Sequence, residues 1–142
     1  MSILIQKLLD TDVNKFNPPE KIIEVPRISK MVGETFKIKL KQLPTMLAEE
    51  IEEAYLKVNA KGEPSIKMSK MVDSTLKDAV YDVEDNKPLF YNDDLKKQFG
   101  CKTPIELMNK ILLPAEKTAI FKEYNDLSGE NGKDIVKEIK KR

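Results

Sequence analysis

The side chains able to do chemistry in this sequence are few, and most are carboxylates. Asp82, Glu84 and Asp85, with Asp93 and Asp94 close behind, offer oxygen donors of the kind that hold a hard cation. Their spacing lacks the glycine and terminal glutamate of an EF-hand loop, and Asp93 and Asp94 fall where a helix start favours acids. The expectation is a solvated loop followed by an acid-enriched helix N-terminus. Cys101 is the lone cysteine, set between a helix stop at Gly100 and a helix cap at Thr103, with no base beside it. A small apolar residue in a tight connection is expected there rather than a reactive thiol. Histidine is absent, which removes an imidazole base, the Ser-His-Asp and Cys-His sites and every histidine-bearing zinc motif. The five glycines stand singly and form neither a GxGxxG nor a Walker loop. No catalytic, cofactor-binding or metal-binding residue is assigned, and the chain reads as a non-enzyme that folds without metal or cofactor.

A chain of 142 residues is long enough to bury a core without disulfides. Its 25 Lys and Arg offset 24 Asp and Glu, so the basic field expected of a nucleic-acid binder is missing. The run Lys137, Lys140, Lys141 and Arg142 has no interleaved aromatics for stacking on bases and is expected to be a solvated helix face. No apolar run approaches the roughly 20 residues of a membrane span. The first ten residues lack a basic n-region and a small-residue cleavage site, so no signal peptide is expected and a cytoplasmic location is. The partners expected are proteins, not nucleic acid or membrane.

The elements that must position these residues follow from periodicity. Ile3, Leu4, Ile5, Leu8 and Leu9 predict a short amphipathic helix, and Asn17-Pro18-Pro19 a linker. Ile22, Ile23 and Val25 form a β-branched run; Phe36, Ile38 and Leu40 alternate with lysines. A β-hairpin or small meander is predicted over 21–41, with Gly33 in the turn. Leu47, Ile51, Ala54, Tyr55 and Val58 fall at helical spacing behind a glutamate-rich start, and 59–67 reads as a loop. Met68, Met71, Val72, Leu76, Ala79 and Val80 make the next helical stripe. Residues 82–92 read as a loop in which Leu89, Phe90 and Tyr91 tuck inward.

The last third carries the clearest signals. Asn92 caps a short helix that Gly100 stops, and Thr103-Pro104-Ile105-Glu106 has the form of a capping box. Pro114 starts a helix bearing Ile120, Phe121, Tyr124 and Leu127 to a stop at Ser128-Gly129. Residues 133–142 form a final amphipathic helix on Ile135, Val136 and Ile139. The fold class is α+β: a small N-terminal antiparallel β element followed by a mostly helical body. One domain is expected over 1–142, divided into an N-terminal helix and linker (1–19), a β element (20–42) and a helical body (43–142).

The stretch Leu95 to Glu116, with Phe99-Gly100, then Thr103-Pro104-Ile105-Glu106-Leu107, then Leu112-Leu113-Pro114-Ala115-Glu116, resembles the phage tail assembly chaperones of the XkdN-like type. Asp126-Leu127-Ser128-Gly129 and Val136 to Lys140 are similar as well, as is the front: a leucine-bearing segment, Val25 to Ile28, then a Phe36 to Leu40 strand before a Glu-rich helix. The resemblance implies a non-catalytic factor of phage, prophage or tail-like particle assembly. Such a factor binds the tape measure protein, helps tail tube protein polymerise around it, acts in the host bacterial cytoplasm and is not part of the finished tail. Self-association is a further option. The competing readings are a structural tail or tail-completion subunit and a small regulatory protein-binding or nucleic-acid-binding domain.

No binding residues carry over from the family, so candidates come from the sequence itself. Ile3, Leu4, Leu8 and Leu9 precede the linker, and Ile135, Val136 and Ile139 lie in the last segment. The N-terminal aliphatics have two readings, docking on their own core, which is favoured, or entering a partner's groove as a helix. Met46, Met68, Met71 and Met108 have two readings also, with core filling favoured over an adaptable partner groove.

Overall fold

Alternation of Ile38 and Leu40 with lysines places strand β2 (Lys37–Lys41) at the centre of a three-stranded antiparallel sheet. Its two aliphatics are buried, while Lys37 is exposed and Lys39 and Lys41 are half-buried. The computed structural model describes residues 2–58, 64–66 and 68–127. Strand β1 (Glu20–Glu24) pairs with β2 so that Ile22 faces Lys39 and Ile23 faces Ile38. Strand β5 (Val80–Asp82) pairs on the other side, with Leu40 opposite Val80.

The antiparallel pairing agrees with the sequence, but the connection between β1 and β2 does not. A helix, α2 (Pro26–Val32), stands where a hairpin turn was expected. Pro26 has no N–H to give a ladder and its fixed φ suits the first helical position, so the β-branched run ends as a strand at Glu24. Gly33 closes that helix rather than forming a hairpin turn; at φ 81° it adopts the left-handed conformation that side chains disfavour. Ser29 fastens the return: its hydroxyl accepts from the Phe36 N–H at 2.8 Å and donates to Glu24 at 2.8 Å.

Helix α3 (Thr45–Tyr55) ends three residues before Val58, which lies instead in β3 (Leu56–Val58), paired antiparallel with β4 (Pro64–Ile66). The expected loop at 59–67 therefore holds a strand at 64–66. Val80 likewise belongs to β5 and not to the stripe of helix α4 (Met68–Ala79), which runs directly into that strand. Thus the sheet draws its third strand from beyond residue 42, where the sequence drew the end of the β element. Segments of three residues are too short to display a period, which is why both were missed.

A short 3-10 turn, Leu89–Tyr91, buries Phe90 and leaves Tyr91 exposed, so the inward tuck holds for the first two residues only. Helix α5 (Asp93–Gln98) starts at Asn92, whose side chain accepts from Leu95 N at 2.9 Å, and ends ahead of Gly100 at φ 67°. Helix α6 (Pro104–Ile111) is capped by the Thr103 hydroxyl, which accepts from Glu106 N at 3.1 Å. Glu106 reaches back to Lys102 N at 3.4 Å rather than to the cap residue, so one arm of the box is well formed. Helix α7 (Pro114–Leu127) begins as the sequence predicts. Its stop at Ser128-Gly129 and the segment 133–142 lie outside the described residues.

The core sits where α4 packs on the sheet and α6 and α7 pack on α4. Leu40, Leu76, Ala79, Val80, Leu107 and Met108 are fully buried, and Phe90 and Ile120 join them. Polar ties hold the helices in register: Lys117 donates to Asp73 at 2.7 Å and to Asn109 at 2.6 Å, joining α7 to α4 and α6. Cys101 is buried in the connection from α5 to α6, as its setting predicts.

Candidate protein-binding site

The apolar residues that remain outside this core are concentrated at the N-terminus. Helix α1 (Ile3–Asp10) is well made locally: the Ser2 hydroxyl accepts from Ile5 N at 3.0 Å, and Gln6 donates to Asp10 at 3.0 Å. Leu4 and Leu8, and Ile5 and Leu9, are four apart and share one face, with Gln6, Lys7 and Asp10 opposite. None of its residues is buried. Ile3 is 76%, Leu4 69%, Leu8 50% and Leu9 66% exposed. Docking of this segment on its own core, the favoured expectation, is thereby corrected. The error has a physical reason: a stripe of aliphatics states that apolar cover is needed but not whether it comes from the same chain.

The apolar surface continues past the helix. Val13 and Phe16, three apart on a 3-10 turn (Val13–Phe16), are exposed as well. Both fall in the stretch expected to be linker, where two apolar residues among polar ones were the available signal. Asn17-Pro18-Pro19 then leads directly into β1.

A second apolar surface lies between α2, α5 and α6. Ile28, Met31, Val32, Phe36, Leu95 and Phe99 line a groove of about 240 Å³, with Arg27 and Lys110 at its edge. Met31, Val32 and Phe99 are exposed. Arg27 is held in place by a bidentate pair with Glu116 at 2.9 Å per contact and by donating to the Ile111 carbonyl at 2.6 Å. That pair, with partial burial opposing it and the Leu113 N–H adding to it, holds the Glu116 carboxyl below the usual glutamate range.

The methionines divide. Met108 fills the core and Met71 packs against it, as expected, whereas Met46 and Met68 are exposed and correct the core-filling expectation for themselves.

One cluster of titratable groups invites a catalytic reading. The Tyr91 hydroxyl donates to Asp78 at 2.6 Å, and Lys77 donates to Tyr91 at 3.1 Å and to Asp78 at 2.8 Å. Burial, then the bond to Asp78, raises the phenol above its ordinary range; for the lysine burial is the largest single influence and lowers it, but the bonds to Asp78 and Tyr91 together outweigh it and leave the group raised. Both groups therefore keep their protons at neutral pH, and neither is poised as base or nucleophile. The triad clamps the 3-10 turn to α4. Among the described residues no group of three or more His, Cys, Asp or Glu is placed to hold a metal, and no helix is long and apolar enough to cross a membrane. The candidates Ile135, Val136 and Ile139 lie outside the described residues.

The crystal structure of the protein YqbN is similar over 78% of this chain and 87% of that chain, with a TM-score of 0.53 at 17% sequence identity, a likeness of fold. No curated protein matches. The family model of the phage XkdN-like tail assembly chaperone protein matches residues 5–140. That span covers nearly every element described above, and the chain belongs to the phage XkdN-like tail assembly chaperone family.

Proposed function

We propose that this protein is a non-catalytic chaperone that binds the tape measure protein during phage or prophage tail assembly and assists polymerisation of the tail tube protein around it. The observation that carries the reading is α1, a capped helix with an apolar face and no buried residue. A helix this short gains little from itself and is stabilised by a partner. A tape measure protein is a long helical chain with apolar stripes that need cover before assembly, and helix-against-helix packing supplies it. Ile3, Leu4, Leu8 and Leu9 are the contact residues, with Val13 and Phe16 extending the surface. The groove between α2, α5 and α6 offers a second apolar face to the tail tube protein.

The test is affinity capture of the full-length tagged chain from lysates of cells assembling tails, alongside analysis of finished particles. The tape measure and tail tube proteins are expected with the chain in the lysate, and the chain is expected to be missing from the particles. Stoichiometric chain in finished particles would overturn the reading in favour of a structural tail subunit.

A further inference from the structure

A second groove bearing methionines lies between α3, α4 and α7. Ala48 and Ile51 of α3, Met68 and Met71 of α4, and Phe121 and Tyr124 of α7 line a groove of about 350 Å³. Met68 is half exposed within it. Glu52 lines its α3 edge, and Glu49, Glu50 and Glu53 are exposed on the same helix; none of the four forms an ion pair among the described residues.

We infer that this groove is the docking site for the chain's own C-terminal segment, residues 133–142, and that the free protein covers it in this way. Three observations favour this occupant. The first is reach. Phe121 and Tyr124 lie in the last two turns of α7, and the five residues 128–132, which include Gly129 and Gly132, can span up to about 17 Å before Lys133. A connection of that length is typical of two antiparallel helices. The second is pattern. Ile135, Val136 and Ile139 fall on one face at helical spacing, and Lys140 and Arg142 flank it. The third is charge. Residues 133–142 carry five cations against two carboxylates, and the groove is bordered by Glu52 on a helix with three further exposed glutamates. Docking would leave the N-terminal helix as the free apolar handle of the molecule, so this inference stands independently of what α1 binds.

Carbodiimide coupling of the full chain, which joins lysines to carboxylates in direct contact, tests it. Equal amounts of unlabelled and nitrogen-15-labelled protein are mixed and the cross-linked peptides read by mass spectrometry, with the Lys117–Asp73 pair as internal control. Coupling of Lys137, Lys140 or Lys141 to Glu49, Glu52 or Glu53 within single-isotope pairs is the expected result. Mixed-isotope pairs would place a second copy in the groove, and no such coupling while the control couples would leave it to another occupant; either overturns the inference. Ile135→Asp with Ile139→Asp should lower the yield by about tenfold or more, since both apolar anchors are lost, and speed peroxide oxidation of Met68. An unchanged yield and oxidation rate in that variant would also overturn it.

Discussion

At the scale of single residues, several polar groups tie packed elements together. Tyr124 is buried on α7, and its hydroxyl accepts from the Leu43 N–H at 3.1 Å, tying the chain just after β2 to the last described helix. Tyr124→Phe keeps the ring and strands that N–H. The expected loss is about 1–3 kcal/mol, read by urea unfolding at constant m; an unchanged midpoint would mean the bond contributes nothing. Glu116 supplies a pH signature. Its carboxyl is depressed in the folded state, chiefly by Arg27, so its contribution is present above the ordinary glutamate range and is lost as pH falls through the depressed folded value. Glu116→Gln should therefore lower Tm at pH 7, with the difference from the parent shrinking as the solution is made acid. A gap that stays constant into strong acid would show that the loss is one of shape rather than of charge.

At the scale of elements, capping residues were the most legible signals in the sequence, because they act locally. Asn92, Thr103, Pro104 and Gly100 specify the boundaries of α5 and α6 without reference to the rest of the chain. Thr103→Ala should cost about 1 kcal/mol, or roughly 4 °C in Tm, and a midpoint unchanged within error would mean the cap carries no weight. What was not legible depended on tertiary contact. Val80–Asp82 is a strand because β2 offers it an edge, and three residues cannot announce that by period. Pro26 carried a readable helix-start signal, but the β-branched run around it and the later glycine suggested a hairpin. The same limit governs α1, whose apolar face was read correctly and whose docking was not. Deleting residues 1–10 should leave Tm within about 2 °C of the parent, since an element with no buried residue contributes little to the core. A large fall in Tm accompanied by aggregation would mean that α1 covers its own chain.

At the scale of the whole molecule, the fold combines a small sheet, a fully buried aliphatic core and exposed apolar surface placed at one end of the chain and along two grooves. The near balance of 25 cations and 24 anions gives no long-range field of one sign, and the proposed recognition rests on the apolar face of α1. Much of this was present in the sequence: the absence of histidine and of glycine-rich loops argued against most catalytic designs, and the motif at 95–116 resembled the family to which the chain belongs. The surfaces were less legible, since exposure is decided by which stripes the fold leaves over. The central claim is that α1 is the handle by which this chaperone takes hold of a tape measure protein. It is tested most directly by calorimetric titration of a helical tape-measure fragment into the full chain and into Leu4→Asp with Leu8→Asp, after thermal melts have matched the two. Losing two apolar anchors of this size should weaken binding by at least about a hundredfold while Tm is unchanged. Equal affinity in the two proteins would contradict the account.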